Sequence, residues 1–449
     1  MSGRVTVIGG GLAGIAAALR CAAAGCSVRL FEARPWLGGL TYSFRRGDLW
    51  VDNGQHVFLR CCTAYRALLD RLGMADSVVL QDRLAIPVRA PGLRGESWLR
   101  RGIAPAPLHL AGSLLRYRSL PLPDRVRFAR AALALRRVDP GDPGADRESF
   151  AAWLARHGQS PRAITALWEL IAVPALNVHA EYASLAQAAA MFQQGLLSDP
   201  TAADIGWPQV PLGRLHGDAA RTRLAEAGAR VRLGSRVRAI EPLGRGWRIV
   251  TDRDTGTADQ VVLAVPPSAA ERLLPPGAVA RPPGWSAALG SSPIVNVHVV
   301  LDRPVLPHPF VAGVGSPVQW VFDRTRQSGL ANGQYLALSL SAADEEIDRP
   351  VAALRMALLP ELGRLLPGLP QAHVADFFVT RERHATFRPA PGTAALRPGP
   401  VTGAAGLYLA GAWTATGWPD TMEGAVRSGD TAAHALLEHR HRAAEEVVA

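Results

Sequence analysis

The first apolar run in the chain, Val5-Thr6-Val7-Ile8, is too short for a helix and fits a buried strand. It breaks into Gly9-Gly10-Gly11-Leu12-Ala13-Gly14. From Ile15 to Ala24 the sequence is alanine-rich and apolar, and it stops at Gly25. That order predicts a strand, a tight turn and a helix capped by glycine. Ser27-Val28-Arg29-Leu30-Phe31 predicts a second strand, closed by Glu32. Two short strands are expected around Gly234-Ser235 within Ala229–Ile240, and another over Trp247–Thr251. Ala258–Val265 reads as a buried strand that Pro266-Pro267 stops. Near the end, Leu407-Tyr408-Leu409 runs into a small-residue turn, and a helix is expected to about Leu437.

Two other stretches pattern differently. Residues 86–205 are helical in pattern with proline breaks, including Ser149–His157 and Ala163–Leu170. Residues 291–400 mix strands (Ile294–Leu301, Gln319–Phe322, Tyr335–Ser339) with a helix near Val351–Leu366. Asp139–Asp146 (DPGDPGAD) reads as an exposed loop. The fold expected is α/β. A Rossmann-like dinucleotide domain is built from 1–85, 206–290 and 401–449, and a mixed helical and β-sheet substrate domain from 86–205 and 291–400.

The glycine spacing has a chemical reason. Gly9 permits the tight turn, Gly11 lets a pyrophosphate approach the backbone, and Gly14 lets helix and strand pack closely. The N–H groups at Leu12 and Ala13 open the helix toward that phosphate. Glu32 follows Gly9 by 23 residues, about where an acid meets a ribose hydroxyl.

Ala33-Arg34-Pro35-Trp36-Leu37-Gly38-Gly39 follows the acid at once. With its second glycine pair, the sequence resembles the flavoprotein superfamily of amine oxidases and carotenoid desaturases. The resemblance implies FAD, with Ala33, Arg34, Gly38 and Gly39 beside the diphosphate. The superfamily usually has arginine where this chain has Leu40. It implies an adenine contact through the backbone at Val237; the other reading of Val237 is a buried strand residue without a ligand. The closing element is similar too, with Gly411-Ala412 and Thr421-Met422-Glu423-Gly424-Ala425 at a helix start against the cofactor. Ala412 stands where the superfamily carries an acid.

A narrower resemblance is to the hydroxysqualene dehydroxylases, the squalene-associated FAD-dependent desaturases. It rests on Asp52-Asn53-Gly54-Gln55-His56, on Ala175-Leu176-Asn177 after Trp168-Glu169, and on the ending from Thr414 to Gly429. It implies reductive loss of an allylic hydroxyl from a long, hydrophobic isoprenoid. A reaction of that kind needs an apolar tunnel and one acid at the reacting centre. His56 is the expected proton donor, with Gln55 orienting substrate or flavin and Asn177 a further catalytic candidate; the alternative for His56 is a hydrogen-bonded motif histidine. Two other functions stay open: a phytoene or carotenoid desaturase, and an isoprenoid-binding flavoprotein without turnover. The electron donor for FAD is not identified by the sequence.

Composition narrows this further. All 49 basic residues are arginine. Without lysine, Schiff-base catalysis and a P-loop are excluded, and so is the lysine that many amine oxidases hold near the flavin. Cys21, Cys26, Cys61 and Cys62 show no metal-ligand spacing, and no metal is expected. No uncharged apolar run is long enough to cross a bilayer. The net charge of +11 is concentrated, since residues 99–137 hold nine arginines and one acid, Asp124. Leucines alternate with them, and Phe128, Ala131, Ala132 and Leu135 share one helical arc. This segment is expected to dock on an anionic membrane surface; the other reading is an ordinary solvated helical surface. The four cysteines are expected as reduced thiols of a cytoplasmic protein, and the charge points to a peripheral membrane surface and a lipid substrate and away from nucleic acid.

Overall fold

The computed structural model describes residues 3–93 and 95–448. The expected cofactor domain therefore has ends, 1–2 and 449, outside the described residues. Arg4–Ile8 lies at the centre of a five-stranded parallel sheet. The order is Arg230–Arg232, Ser27–Phe31, Arg4–Ile8, Gln260–Leu263, Leu407–Leu409. Parallel strands covered on both faces read as continuous apolar runs. The strands flanking Gly234 do not pair with each other. Arg230–Arg232 ends this sheet, whereas Val237–Leu243 joins a separate antiparallel sheet with Gly246–Thr251 and Thr255–Ala258. The turn between them is held by the first wall instead: Gly234 N–H donates to Arg34 O and Ser235 N–H to Glu32 O, both at 2.9 Å.

Helix Leu12–Ala23 packs against the closing helix Met422–Val448. A Cβ on Gly429 would lie 2.1 Å from Ala13 O, so the close crossing depends on that glycine. The last strand and last helix thus complete the layer that the first residues begin.

The second large sheet has seven strands, in the order Val374–Thr386, Ser292–Leu301, Gln334–Ser341, Trp320–Asp323, Phe310–Gly313, Ala85–Arg89, Ser97–Arg100. Strand alternation divides its faces. Val295, Val297, Leu336, Leu338 and Val321 pack on helix Val351–Leu365. Ile294, Asn296, Ser339, Ser341, Trp320 and Phe322 point the other way, into a cavity. Helices between residues 108 and 197 roof that cavity, with Trp168, Phe150 and Phe192 at their core.

Asp139–Asp146 departs from the exposed loop expected. Asp142 caps a short helix, Pro143–Arg147, and Asp146 is buried. The Asp146 carboxylate accepts from Ser184 Oγ at 2.9 Å and Ala394 N–H at 3.2 Å. Residues 139–144 are exposed as expected, but the segment ends in a helix, and donors 38 and 248 residues away hold Asp146 in the interior. No helix among the described residues is long and apolar enough to cross a membrane.

Candidate active site

One continuous cavity of about 1670 Å³ runs between the five-stranded sheet and the seven-stranded sheet. Sites for single drug-sized ligands are about 300–1,000 Å³, so this space suits a cofactor and a second ligand together.

Its first end is the glycine wall. Gly9 has φ +107°, and a Cβ there would lie 2.2 Å from Ala264 O. Gly14 does not line the cavity; it sits so close to Gly9 O that a Cβ would be at 1.9 Å. The two glycine runs clasp each other. Gly38 N–H donates to Gly10 O at 2.8 Å, and Gly39, at φ +59°, comes within 2.9 Å of Gly11 Cα, measured from its notional Cβ. Gly11 stands at the N-cap of helix Leu12–Ala23 without any side-chain cap. The helix therefore presents open N–H groups at the cavity wall, beside Leu12 and Ala13. This uncapped, side-chain-free cradle fits a dinucleotide diphosphate.

Glu32 is the next element of the wall. Its carboxylate accepts from Gly10 N–H and Arg34 N–H, each at 2.7 Å. Arg34 donates to Gly39 O at 3.2 Å, and Ala33 and Leu40 line the same wall. Val237 lines it from the antiparallel sheet, next to a strand irregularity between Val237 and Ala239. Opposite stand Gly411, Ala412, Thr421, Met422 and Ala425. Thr421 Oγ1 caps the closing helix by accepting from Gly424 N–H at 3.2 Å.

Glu423 is tied into the frame. Its buried carboxylate accepts from Ala64 N–H at 3.1 Å, Tyr65 N–H at 2.7 Å and Arg427 Nε at 2.6 Å. Helix Thr63–Leu72 has no side-chain cap of its own, so Glu423 supplies one from the other end of the chain.

Arg397 was not singled out in the sequence. Its guanidinium is buried, and it donates to Ala412 O at 3.0 Å, Thr414 O at 2.6 Å and Trp418 O at 2.8 Å. Its ring-face contact is Phe387, 4.8 Å from the centroid. Burial pushes its pKa down to about 10. Arg397 thus gathers the turn between residue 411 and the closing helix. One arginine among 49 carries no local signal for such a role.

The motif at 52–56 is pinned from behind. Asp52 forms a buried ion pair with Arg324 and accepts from Leu212 N–H at 3.0 Å. Asn53 Nδ2 donates to Leu40 O at 2.8 Å and Glu382 Oε1 at 2.9 Å. Gly54, Gln55 and His56 then form cavity wall. His56 Nδ1 lies 3.2 Å from Gly54 O. The Nδ1–H tautomer satisfies that contact, which leaves Nε2 as an acceptor. Burial lowers the His56 pKa, so the neutral ring is the form present near neutral pH. Beside it, Asn296 is fully buried and its Oδ1 has no hydrogen-bond partner among the described residues. A buried acceptor left open on a cavity wall calls for a ligand donor.

Asn177 also borders the cavity, at φ +56°. Its amide donates to Ser292 O and Thr386 Oγ1 at 3.0 Å each, and accepts from Ala342 N–H at 2.7 Å. These bonds join the roof to two strands of the large sheet and to the residue that follows a third. The far end of the cavity is apolar, lined by Leu84, Ile86, Leu99, Leu110, Leu170, Met191, Leu196, Phe310 and Phe322.

Comparison with known proteins agrees with this geometry. The family model of flavin-containing amine oxidoreductases matches residues 12–437. A hydroxysqualene dehydroxylase of Rhodopseudomonas palustris is 30% identical, over 97% of this chain and 99% of its own length. A zeta-carotene desaturase of Synechocystis is 25% identical, over 99% of both chains. Among solved structures, cyclohexylamine oxidase from Brevibacterium oxydans superposes with a TM-score of 0.73 at 20% identity, covering 98% of this chain and 100% of its own. This last likeness is one of fold.

Proposed function

Because this chain belongs to the flavin-containing amine oxidoreductases and, within them, to the hydroxysqualene dehydroxylases, we propose that it converts hydroxysqualene to squalene and water at a bound FAD. The chain is an FAD-dependent oxidoreductase, and reduced flavin, when bound, would supply the hydride that replaces the hydroxyl. The observation that carries the substrate reading is the cavity itself: the glycine wall opens directly into a long apolar end. An isoprenoid laid along that end brings one polar position to the wall of Gln55, His56 and Asn296.

The residues divide the work. The 9–14 and 38–39 glycines, Glu32 and the start of the closing helix bind and orient the cofactor. Arg397 and Glu423 hold that frame. Neutral His56, through Nε2, accepts a hydrogen bond from the substrate hydroxyl, and Gln55 positions it from the same loop. The apolar roof keeps water from the cation left when an allylic hydroxyl departs.

Anaerobic incubation of the dithionite-reduced protein with hydroxysqualene tests this. Squalene is the expected product; its absence, with FAD bound, overturns the reading. The likeness to zeta-carotene desaturase favours a second reading, the reverse direction of electron flow on a carotene. Desaturation of phytoene by the oxidised protein would establish that reading instead.

The route of the substrate belongs to the same proposal. Leu99 and Leu110 line the cavity from within the arginine-rich segment. On its outside, Ile103 is 94% and Leu115 66% exposed, with Leu108, Leu122 and exposed Arg100, Arg116 and Arg130 around them. A protein surface seldom leaves large apolar side chains exposed together without a partner. This face docks on an anionic bilayer, and the isoprenoid enters beneath it. Binding to phosphatidylserine vesicles should fall when Arg116, Arg118, Arg127 and Arg130 become glutamine; binding indifferent to anionic lipid overturns the docking.

A further inference from the structure

Four carboxylates line the cavity among the described residues: Glu32, Glu382, Asp420 and Glu423. Three of them serve as acceptors for several donors. Glu32 takes two backbone N–H groups, Glu382 takes Asn53 Nδ2 and Tyr42 Oη, and Glu423 takes two N–H groups and Arg427. Asp420 differs. It stands on the turn just before the closing helix, in a wall shared with Trp418, Pro419 and Thr421, and its Oδ2 accepts from Phe387 N–H at 2.8 Å.

On the reading that the substrate is an isoprenoid alcohol, we propose that Asp420 is the acid that protonates the departing hydroxyl. The proton passes from the Asp420 carboxyl to the hydroxyl oxygen. The C–O bond breaks, its electron pair leaving on water. Reduced flavin, when bound, would supply the hydride that the allylic carbon then needs and be left oxidised, and the Asp420 carboxylate recovers a proton from solvent.

The surroundings support the role. Burial raises the Asp420 pKa to about 6, against the opposing pull of the Phe387 N–H and of Arg397. Arg397 also feels Asp146, so its charge is shared between two carboxylates. A carboxyl near pKa 6 is a better-matched acid at neutral pH than an exposed one. Asp420 lies within the closing motif, but nothing in its local sequence marks it, because the Phe387 donor comes from 33 residues away.

Asp420→Asn and Asp420→Glu, each isolated with FAD, test the assignment. With hydroxysqualene, wild-type kcat should fall above pH 6 as the acid ionises. Asp420→Asn should lose about hundredfold or more in kcat with KM little changed, and Asp420→Glu should recover part of it with a displaced pH limb. A second readout needs no turnover. A carboxyl raised on folding destabilises the native state as pH rises from its unfolded value through about 6. The melting temperature of Asp420→Asn should therefore gain on wild type between pH 4 and pH 7. An Asn variant with near wild-type kcat and an unchanged pH limb overturns the proposal, as does a melting-temperature difference that stays flat. If wild type itself makes no squalene, the substrate reading fails and takes this step with it; squalene formed at the same rate by wild type and the Asn variant removes only the role of Asp420.

Discussion

The two ends of the cavity are built on opposite principles. The cofactor end is made of backbone: glycines too crowded for a Cβ, an uncapped helix start, and carbonyls gathered by Arg397. The apolar end is made of side chains from strands and roof helices, with few polar contacts. Backbone sites tolerate almost no substitution, because steric exclusion has no compromise. Side-chain sites can be reshaped by volume, and relatives with different substrates keep the same frame around them.

Substitutions should expose that contrast. The largest effect is expected from Gly39→Val, which places a branched side chain at φ +59° against Gly11. The purified protein should lack flavin absorbance altogether. Met191→Trp, at the apolar end, should keep the flavin spectrum and lose about a hundredfold in kcat/KM for a long isoprenoid. If it lost flavin instead, the two ends would not be separable. Glu423→Ala should cost about 2 kcal/mol by uncapping helix Thr63–Leu72, read as a lower urea midpoint. Arg116→Gln should weaken binding to anionic vesicles by about 1 kcal/mol and leave the turnover of detergent-dispersed substrate unchanged.

The same contrast decided what the sequence could reveal. The cofactor end was legible because its chemistry is local: six residues, Gly9 to Gly14, turn the chain and open a helix. The flavin family and the isoprenoid substrate class followed from motifs of that kind. The inward arc of helix Leu122–Leu135, with Phe128, Ala131, Ala132 and Leu135 buried, was legible from its period. What remained hidden depends on distant partners. Ser292–Leu301 puts Ser292, Asn296 and His298 on the face opposite Val295, Val297 and Val299, yet these polar side chains are buried as well, by partners distant in the chain. Asn177 reads as a motif residue, yet its amide is filled by Ser292, Thr386 and Ala342. Arg397 and Asp420 take their properties from a turn and a strand end that meet only in three dimensions.

The order of chain synthesis gives the clasped sheet a further meaning. The first strand, Arg4–Ile8, needs neighbours at Gln260–Leu263, and the last strand, Leu407–Leu409, pairs beyond those. Glu423 then reaches back to Ala64 and Tyr65. The glycine cradle is synthesised well before the wall that faces it, with the large sheet and the roof helices between them. A nascent chain must therefore carry a half-made pocket while all of those elements are made. FAD can be gripped on both sides only once the final helix has docked, which makes cofactor loading a closing event of biogenesis.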